Sequence, residues 1–167
     1  RLPGFGKQLY GFLRPLFASN KPAQRRIVKA AGIQDAKVVV ELGPGLGALT
    51  HALLQRGCRV LAVELDRDML HVLRAELGEH PALELREGDA AELDLEAYSR
   101  ACGSKLVVTG NLPYQATGAI LRRVVEQREL LLGAVLMVQR EVRDRLVAAP
   151  GTKDYGALSV FTQAGFE

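Results

Sequence analysis

Short apolar runs alternate along this chain with segments of helical period, and each run is closed by a polar or glycine-rich stop. Residues 38–42 (VVVEL), 59–64 (RVLAVE), 83–86 (LELR), 105–109 (KLVVT) and 134–138 (AVLMV) read as strands. Their mostly continuous apolar character is that of strands covered on both faces. Between them, apolar positions over 48–56, 69–77, 117–128 and 141–148 recur at helical spacing. Strand alternating with helix dictates right-handed crossovers and an α/β fold, a mostly parallel twisted sheet with helices on both faces. A further helix is predicted over 21–31, with Asn20 as its cap, Pro22 in its first turn and Gly32 closing it. Residues 1–20 show no clear period and form an N-terminal segment ahead of one catalytic domain over 21–167.

With 167 residues, 48% hydrophobic and 25% charged, the chain suits one domain around one core. No apolar run approaches the roughly 20 residues of a membrane helix. The opening Arg1-Leu2-Pro3-Gly4 lacks the layout of a signal peptide. Cys58 and Cys102 form no CxxC pair and have no histidine cluster beside them, so no metal is expected, and a cytoplasmic location is. The net charge of +3 permits a polyanionic partner without requiring one. Basic clusters at Arg122 and Arg123 and at Arg140 and Arg143 are candidate phosphate contacts; each is equally readable as a solvated helix face.

In parallel sheets of this type, ligands bind beyond the carboxyl ends of the strands. The first strand ends in Glu41-Leu42-Gly43-Pro44-Gly45-Leu46-Gly47. Its G-x-G-x-G spacing differs from the G-x-G-x-x-G of a dinucleotide site, and alone it is also consistent with a tight structural turn. Glu64 ends the second strand, where a carboxylate can accept hydrogen bonds from ribose hydroxyls. Asp89, after Gly88, stands where a carboxylate could accept from the amine of an adenine. Together these strand ends favour a nucleoside-bearing cofactor.

The fourth strand runs into Asn111-Leu112-Pro113-Tyr114. An exocyclic adenine amine is a poor nucleophile because its lone pair is delocalised into the ring. Two acceptors, the Asn111 side-chain oxygen and the Leu112 carbonyl, would draw that nitrogen toward tetrahedral geometry. Pro113 stiffens the turn, and Tyr114 offers a face on which an extruded base can stack. As the attacking amine becomes cationic, acceptor dipoles stabilise the transition state, so no strong general base is needed.

These motifs resemble the small-subunit rRNA adenine N6-dimethyltransferase family. The likeness is carried by the glycine run, Val63-Glu64-Leu65-Asp66, Gly88-Asp89-Ala90 and Gly110-Asn111-Leu112-Pro113-Tyr114. It continues through Gln139-Arg140-Glu141-Val142 to Lys153-Asp154-Tyr155-Gly156-Ala157-Leu158-Ser159-Val160. The resemblance implies a Rossmann-like class I methyltransferase fold that uses S-adenosyl-L-methionine. It implies cofactor contacts from Glu41, Gly43, Gly45, Glu64, Leu65, Asp89, Ala90 and Asn111, and a target base held by Asn111, Leu112, Pro113 and Tyr114. The family makes N6,N6-dimethyladenosine at two adjacent adenosines near the 3′ end of 16S rRNA, late in small-subunit assembly, so the implied partner is the immature small ribosomal subunit, bound by a monomer. Around residues 14–18 the family's Gly-Gln-x-Phe-Leu is matched only by Phe17. The chain stops ahead of the family's last two strands and helical C-terminal domain, and weak activity of the chain alone is the expectation.

Three other readings remain. The chain could dimethylate an adenine of large-subunit rRNA, or serve as a ribosome-assembly binding module with little catalysis. A nicotinamide dehydrogenase would need the longer glycine loop and would leave Asn111-Leu112-Pro113-Tyr114 without a use.

Overall fold

In the computed structural model, which describes Ile27 and residues 38–166, the most apolar run of the chain becomes the centre of the sheet. Strand β1 (Val38–Leu42) is buried along its whole length. The chain continues through α1 (Ala48–Leu54), β2 (Arg59–Glu64), α2 (Arg67–Leu77), β3 (Leu83–Glu87), α3 (Leu95–Cys102) and β4 (Leu106–Asn111). It then forms α4 (Thr117–Glu126), a 3-10 turn (Arg128–Leu130), β5 (Leu131–Met137), α5 (Arg140–Leu146) and α6 (Ala157–Gly165). The sheet order is β3-β2-β1-β4-β5, and every neighbouring pair is parallel. The order reverses direction at β1, as a doubly wound sheet requires.

Successive side chains of a strand point to opposite faces, and β1 divides its residues accordingly. Val38, Val40 and Leu42 pack with Leu61, Val63, Val108, Leu95, Ile120 and Val124, so α3 and α4 cover that face. Val39 joins Val60, Ala62, Val107, Leu49 and Leu53 on the other, beneath α1, and Ile27 packs there too. Each such apolar side chain, once fully buried, contributes about 1.5–3 kcal/mol of transfer free energy. The rest of the predicted helix over 21–31, and the segment 1–20, lie outside the described residues.

Several elements depart from the sequence reading, each for a local reason. Helix α2 starts at Arg67, ahead of the expected residue 69, because the Asp66 carboxylate accepts from the amides of Asp68 (2.8 Å) and Met69 (3.3 Å) and caps the helix. Helix α3 was not anticipated; Asp94 caps it in the same way, and Gly103 ends it at φ 61°. Strand β5 begins at Leu131 rather than residue 134, because a register irregularity between Leu106 and Val107 lets Leu131 and Gly133 pair ahead of the apolar run. Helix α6 also went unanticipated, and its packing against α4 and α5 holds it in place.

The two borders of the sheet differ. Strand β3 carries Glu84, Arg86 and Glu87, all exposed. Strand β5, LLGAVLM, has no charged residue and exposes Leu132.

Strands β1 and β4 leave no room for a side chain at one point of their ladder. Leu42 is the register partner of Gly110, and a Cβ added to Gly110 would stand 2.3 Å from the Leu42 carbonyl oxygen. No side chain can yield there, since both groups belong to the main chain. Gly110→Ala is expected to cost about 1–3 kcal/mol or more, as overpacked cores do, measured by urea denaturation. Unchanged stability would mean that the two strands can part at no cost.

Candidate functional site

Register alone gathers most of the residues singled out by sequence onto one edge. Leu42 is level with Val63 and with Gly110, and Glu64 is level with Glu87, while Asn111 is level with Met137. Across the carboxyl edge of the sheet the order is therefore Asp89 after β3, Glu64 at the end of β2, Gly43 after β1 and Asn111 at the end of β4. Gly43 and Asn111 are neighbours there, since a Cβ on Gly43 would lie 3.6 Å from the Asn111 carbonyl oxygen.

The glycine run turns through left-handed backbone at Gly43 (φ 67°), Gly45 (φ 55°) and Gly47 (φ 79°), a region closed to most side chains. Gly43 N–H donates to the Val63 carbonyl at 3.0 Å, anchoring the loop to β2. A Cβ at Gly47 would meet Leu73 Cδ2 at 2.6 Å, so this glycine also lets the loop rest on α2. At Gly45 the surroundings are open, with nothing within 4 Å of an added Cβ.

Glu64 binds the loop from the other side. Its Oε2 accepts from Gly45 N–H at 3.0 Å, and its Oε1 accepts from the amides of Leu65 (3.0 Å) and Asp66 (3.1 Å). A carboxylate has about four acceptor sites, so roughly one remains for a further donor. Asp89, half-buried, accepts from Ala91 N–H at 2.8 Å and so fixes its own turn, with Ala90 inside that turn. Leu65 is 66% exposed beside the glycine loop.

Glu41 lies beneath this loop and is buried to 1% exposure. Burial, with the charge of Glu64 adding to it, pushes its carboxyl up to about 7. Thr50 stands beside the carboxyl and opposes part of that shift. Even so, neither Glu41 Oε2 nor the Thr50 hydroxyl has a well-formed hydrogen bond among the described residues.

At the end of β4, Asn111 is exposed and Leu112 is buried. Leu112 N–H donates to the Met137 carbonyl at 3.0 Å, tying the turn to β5. The Pro113 carbonyl is saturated: it accepts from Ala116 N–H (3.2 Å), Thr117 N–H (3.1 Å) and the Thr117 hydroxyl (2.8 Å). Tyr114 is 77% exposed, so its ring is not consumed by the core. Two side chains not picked out from sequence, Thr117 and Gln139, lie against this turn, and Gln139 Nε2 donates to the Leu112 carbonyl at 3.2 Å. Their signal was positional, one in the first turn of the helix after Tyr114 and the other just past β5.

The basic candidates fare differently. Arg122 pairs with Glu126 at 2.8 Å on the surface of α4. Arg123 donates through Nε to the Leu93 carbonyl at 3.0 Å, a bond that ties α4 to the segment before α3. Arg140 and Arg143 both approach Asp144 on α5, and both stay largely exposed. Among the described residues no cluster of metal-ligating side chains occurs, no helix is long and apolar enough to cross a membrane, and both cysteines are free.

Comparison with known proteins agrees with this geometry. The family model described as ribosomal RNA adenine dimethylase matches residues 11–167. The ribosomal RNA small subunit methyltransferase A of Acidobacterium capsulatum is 44% identical over 147 residues, covering 88% of this chain and 52% of that protein. The chain thus spans about half the length of the curated relatives it matches. Among solved structures, a dimethyladenosine transferase from Plasmodium falciparum superposes with a TM-score of 0.70 at 30% identity, over 86% of this chain and 50% of that one. The 23S rRNA methyltransferase ErmE gives 0.64 at 27% identity, over 85% and 53%.

The buried carboxyl of Glu41 gives the site a signature in stability. Unfolded, it ionises at its ordinary 4.5; folded, it holds its proton up to about 7. Its contribution to stability is therefore complete below the lower value and is lost as pH rises toward the upper one. Glu41→Gln removes this titration. The variant should gain on the parent by up to about 3 kcal/mol across that window, read from urea denaturation on either side of it. Parallel pH profiles would show that the carboxyl ionises as easily folded as unfolded.

Proposed function

Because the chain belongs to the ribosomal RNA adenine dimethylase family, we propose that it forms the catalytic domain, over residues 21–167, of an enzyme that uses S-adenosylmethionine to dimethylate N6 of two adjacent adenosines near the 3′ end of small-subunit rRNA. The observation that carries this reading is the placement, on adjacent parallel strands, of the left-handed glycine loop after β1 next to the exposed Asn111 at the end of β4. In this reading the enzyme works as a cytoplasmic monomer on the immature small subunit during ribosome assembly. The small-subunit assignment is supported by relatives named ribosomal RNA small subunit methyltransferase A at 40–47% identity.

The residues present fit the cofactor. Open space at Gly45 admits a ligand against the loop backbone. The acceptor site left on Glu64 suits one ribose hydroxyl; taking both, as the sequence suggested, would require the carboxylate to release a backbone amide. Asp89, with one oxygen held by Ala91, keeps the other for an adenine amine. When bound, S-adenosylmethionine supplies an electrophilic methyl group.

Asn111 and Leu112 handle the nucleophile. With the Pro113 carbonyl saturated, the Leu112 carbonyl is the acceptor this turn can still offer beside the Asn111 side chain. One amine hydrogen goes to each, and the nitrogen lone pair is directed outward. The exposed Tyr114 ring stacks the extruded base, a contact worth about 1–3 kcal/mol. Arg140 and Arg143 open the helix that follows β5 and are better disposed toward RNA phosphates than Arg123, whose Nε is already held by the Leu93 carbonyl.

Transfer of labelled methyl groups to unmodified ribosomal subunits, mapped by primer-extension arrest on both rRNAs, tests the assignment. Arrest at adjacent adenosines near the 3′ end of the small-subunit rRNA is expected; arrest confined to the large-subunit rRNA would overturn it. Asn111→Ala should reduce transfer by about two to three powers of ten with unaltered circular dichroism, and unchanged turnover would mean that the amine is gripped elsewhere. Removing both Arg140 and Arg143 should flatten the salt dependence of RNA binding, with its slope falling by about one for each phosphate that is no longer neutralised.

A further inference from the structure

Gln139 joins three elements at the point where the amine is held. Its backbone opens α5, accepting from Arg143 N–H at 2.9 Å. Its side chain turns back across the sheet edge, and Nε2 donates to the Leu112 carbonyl at 3.2 Å. Its Oε1 stands 3.4 Å from the Thr117 hydroxyl, the same hydroxyl that donates to the Pro113 carbonyl at 2.8 Å. One amide thus spans the end of β4, the start of α4 and the start of α5, and it is half-buried while doing so.

A carbonyl oxygen has two lone pairs. With one held by Gln139, the other keeps a fixed direction, whereas a carbonyl in a proline-containing turn held only through its neighbours could tilt. Leu112 N–H is bonded to the Met137 carbonyl, so the peptide units on both sides of Leu112 would then be restrained. Pro113 has no N–H with which to restrain the following unit itself, and the Gln139 amide takes that place.

We infer that Gln139 is a positioning residue for methyl transfer, holding the Leu112 carbonyl at the angle from which its free lone pair accepts one hydrogen of the target amine. This rests on the amine methylation proposed above. The Thr117 hydroxyl completes the arrangement by occupying the Pro113 carbonyl, so that only the Leu112 carbonyl faces the base.

Two substitutions separate positioning from packing. Gln139→Met keeps the length of the side chain and removes the donor. Gln139→Glu keeps the shape and, when ionised, presents oxygen to oxygen; when protonated, its O–H can donate to the Leu112 carbonyl again. In both variants of the 167-residue chain, transfer at saturating cofactor and RNA should fall on the order of 100-fold, the effect of misplacing a reacting group by about 1 Å. Affinity for S-adenosylmethionine by calorimetry should change by less than about twofold. Lowering the pH should restore transfer by Gln139→Glu relative to the parent and leave Gln139→Met low, an outcome that a purely structural role would not produce.

Rates within about threefold of the parent in both variants would overturn the inference while leaving the proposed function intact. So would parallel losses of rate and cofactor affinity with no recovery of Gln139→Glu in acid. A parent that methylates only large-subunit rRNA would refute the small-subunit assignment and leave Gln139 its role. A parent that transfers no methyl group to either rRNA refutes both.

Discussion

Everything at the site depends on how closely β1 and β4 approach one another. The Leu42 carbonyl and the Gly110 backbone meet where no Cβ could intervene, and the residues after them, Gly43 and Asn111, stand side by side at the edge. In the proposed reading one half of the site belongs to the cofactor and the other to the base, and the approach of these two strands sets the distance between them. Side chains on either strand could change and the relation would persist, because main chain holds it.

The same reliance on main chain runs through the rest of the edge. Glu64 commits its carboxylate to three backbone amides, so a residue read from sequence as a ligand contact is also the strut that shapes the glycine loop. Asp89 similarly fixes its own turn with one oxygen. Thr117 silences one carbonyl and Gln139 orients another. The chemistry is assigned to groups that the fold has already oriented, and little reorganisation is left for the moment of reaction.

Much of this was legible in the sequence, and the reasons are specific. Strands β1 and β2 have the bounds expected of them, because VVVEL and RVLAVE are apolar runs with polar stops and no competing pattern. That the strand-end residues share one edge followed from the parallel topology, whereas their order across it did not. Helices α3 and α6 were missed: α3 is short, and its evidence lies in Asp94 and Gly103 at its ends rather than in a long apolar stripe. In α6 the apolar residues were read as part of a motif instead of a helix. Gln139 was visible only as one letter of a matching stretch. Its bond to Leu112 links residues 27 apart in sequence, and such a pairing has no local signature. The use of Glu64 by its own loop was hidden for the same reason, since a carboxylate at a strand end looks alike whether it faces ligand or backbone.

The unlike borders of the sheet carry a consequence for association. Charged side chains along β3 make edge-to-edge addition unfavourable there, because an incoming strand would have to bury or displace them. Along β5 nothing comparable stands in the way among the described residues. Growth of the hydrogen-bonded ladder is therefore directional: a further strand, from the same polypeptide or another, meets no charged border on the β5 flank, and its arrival there bears on the turn at the end of β4, whose Leu112 N–H is already bonded to the Met137 carbonyl of β5.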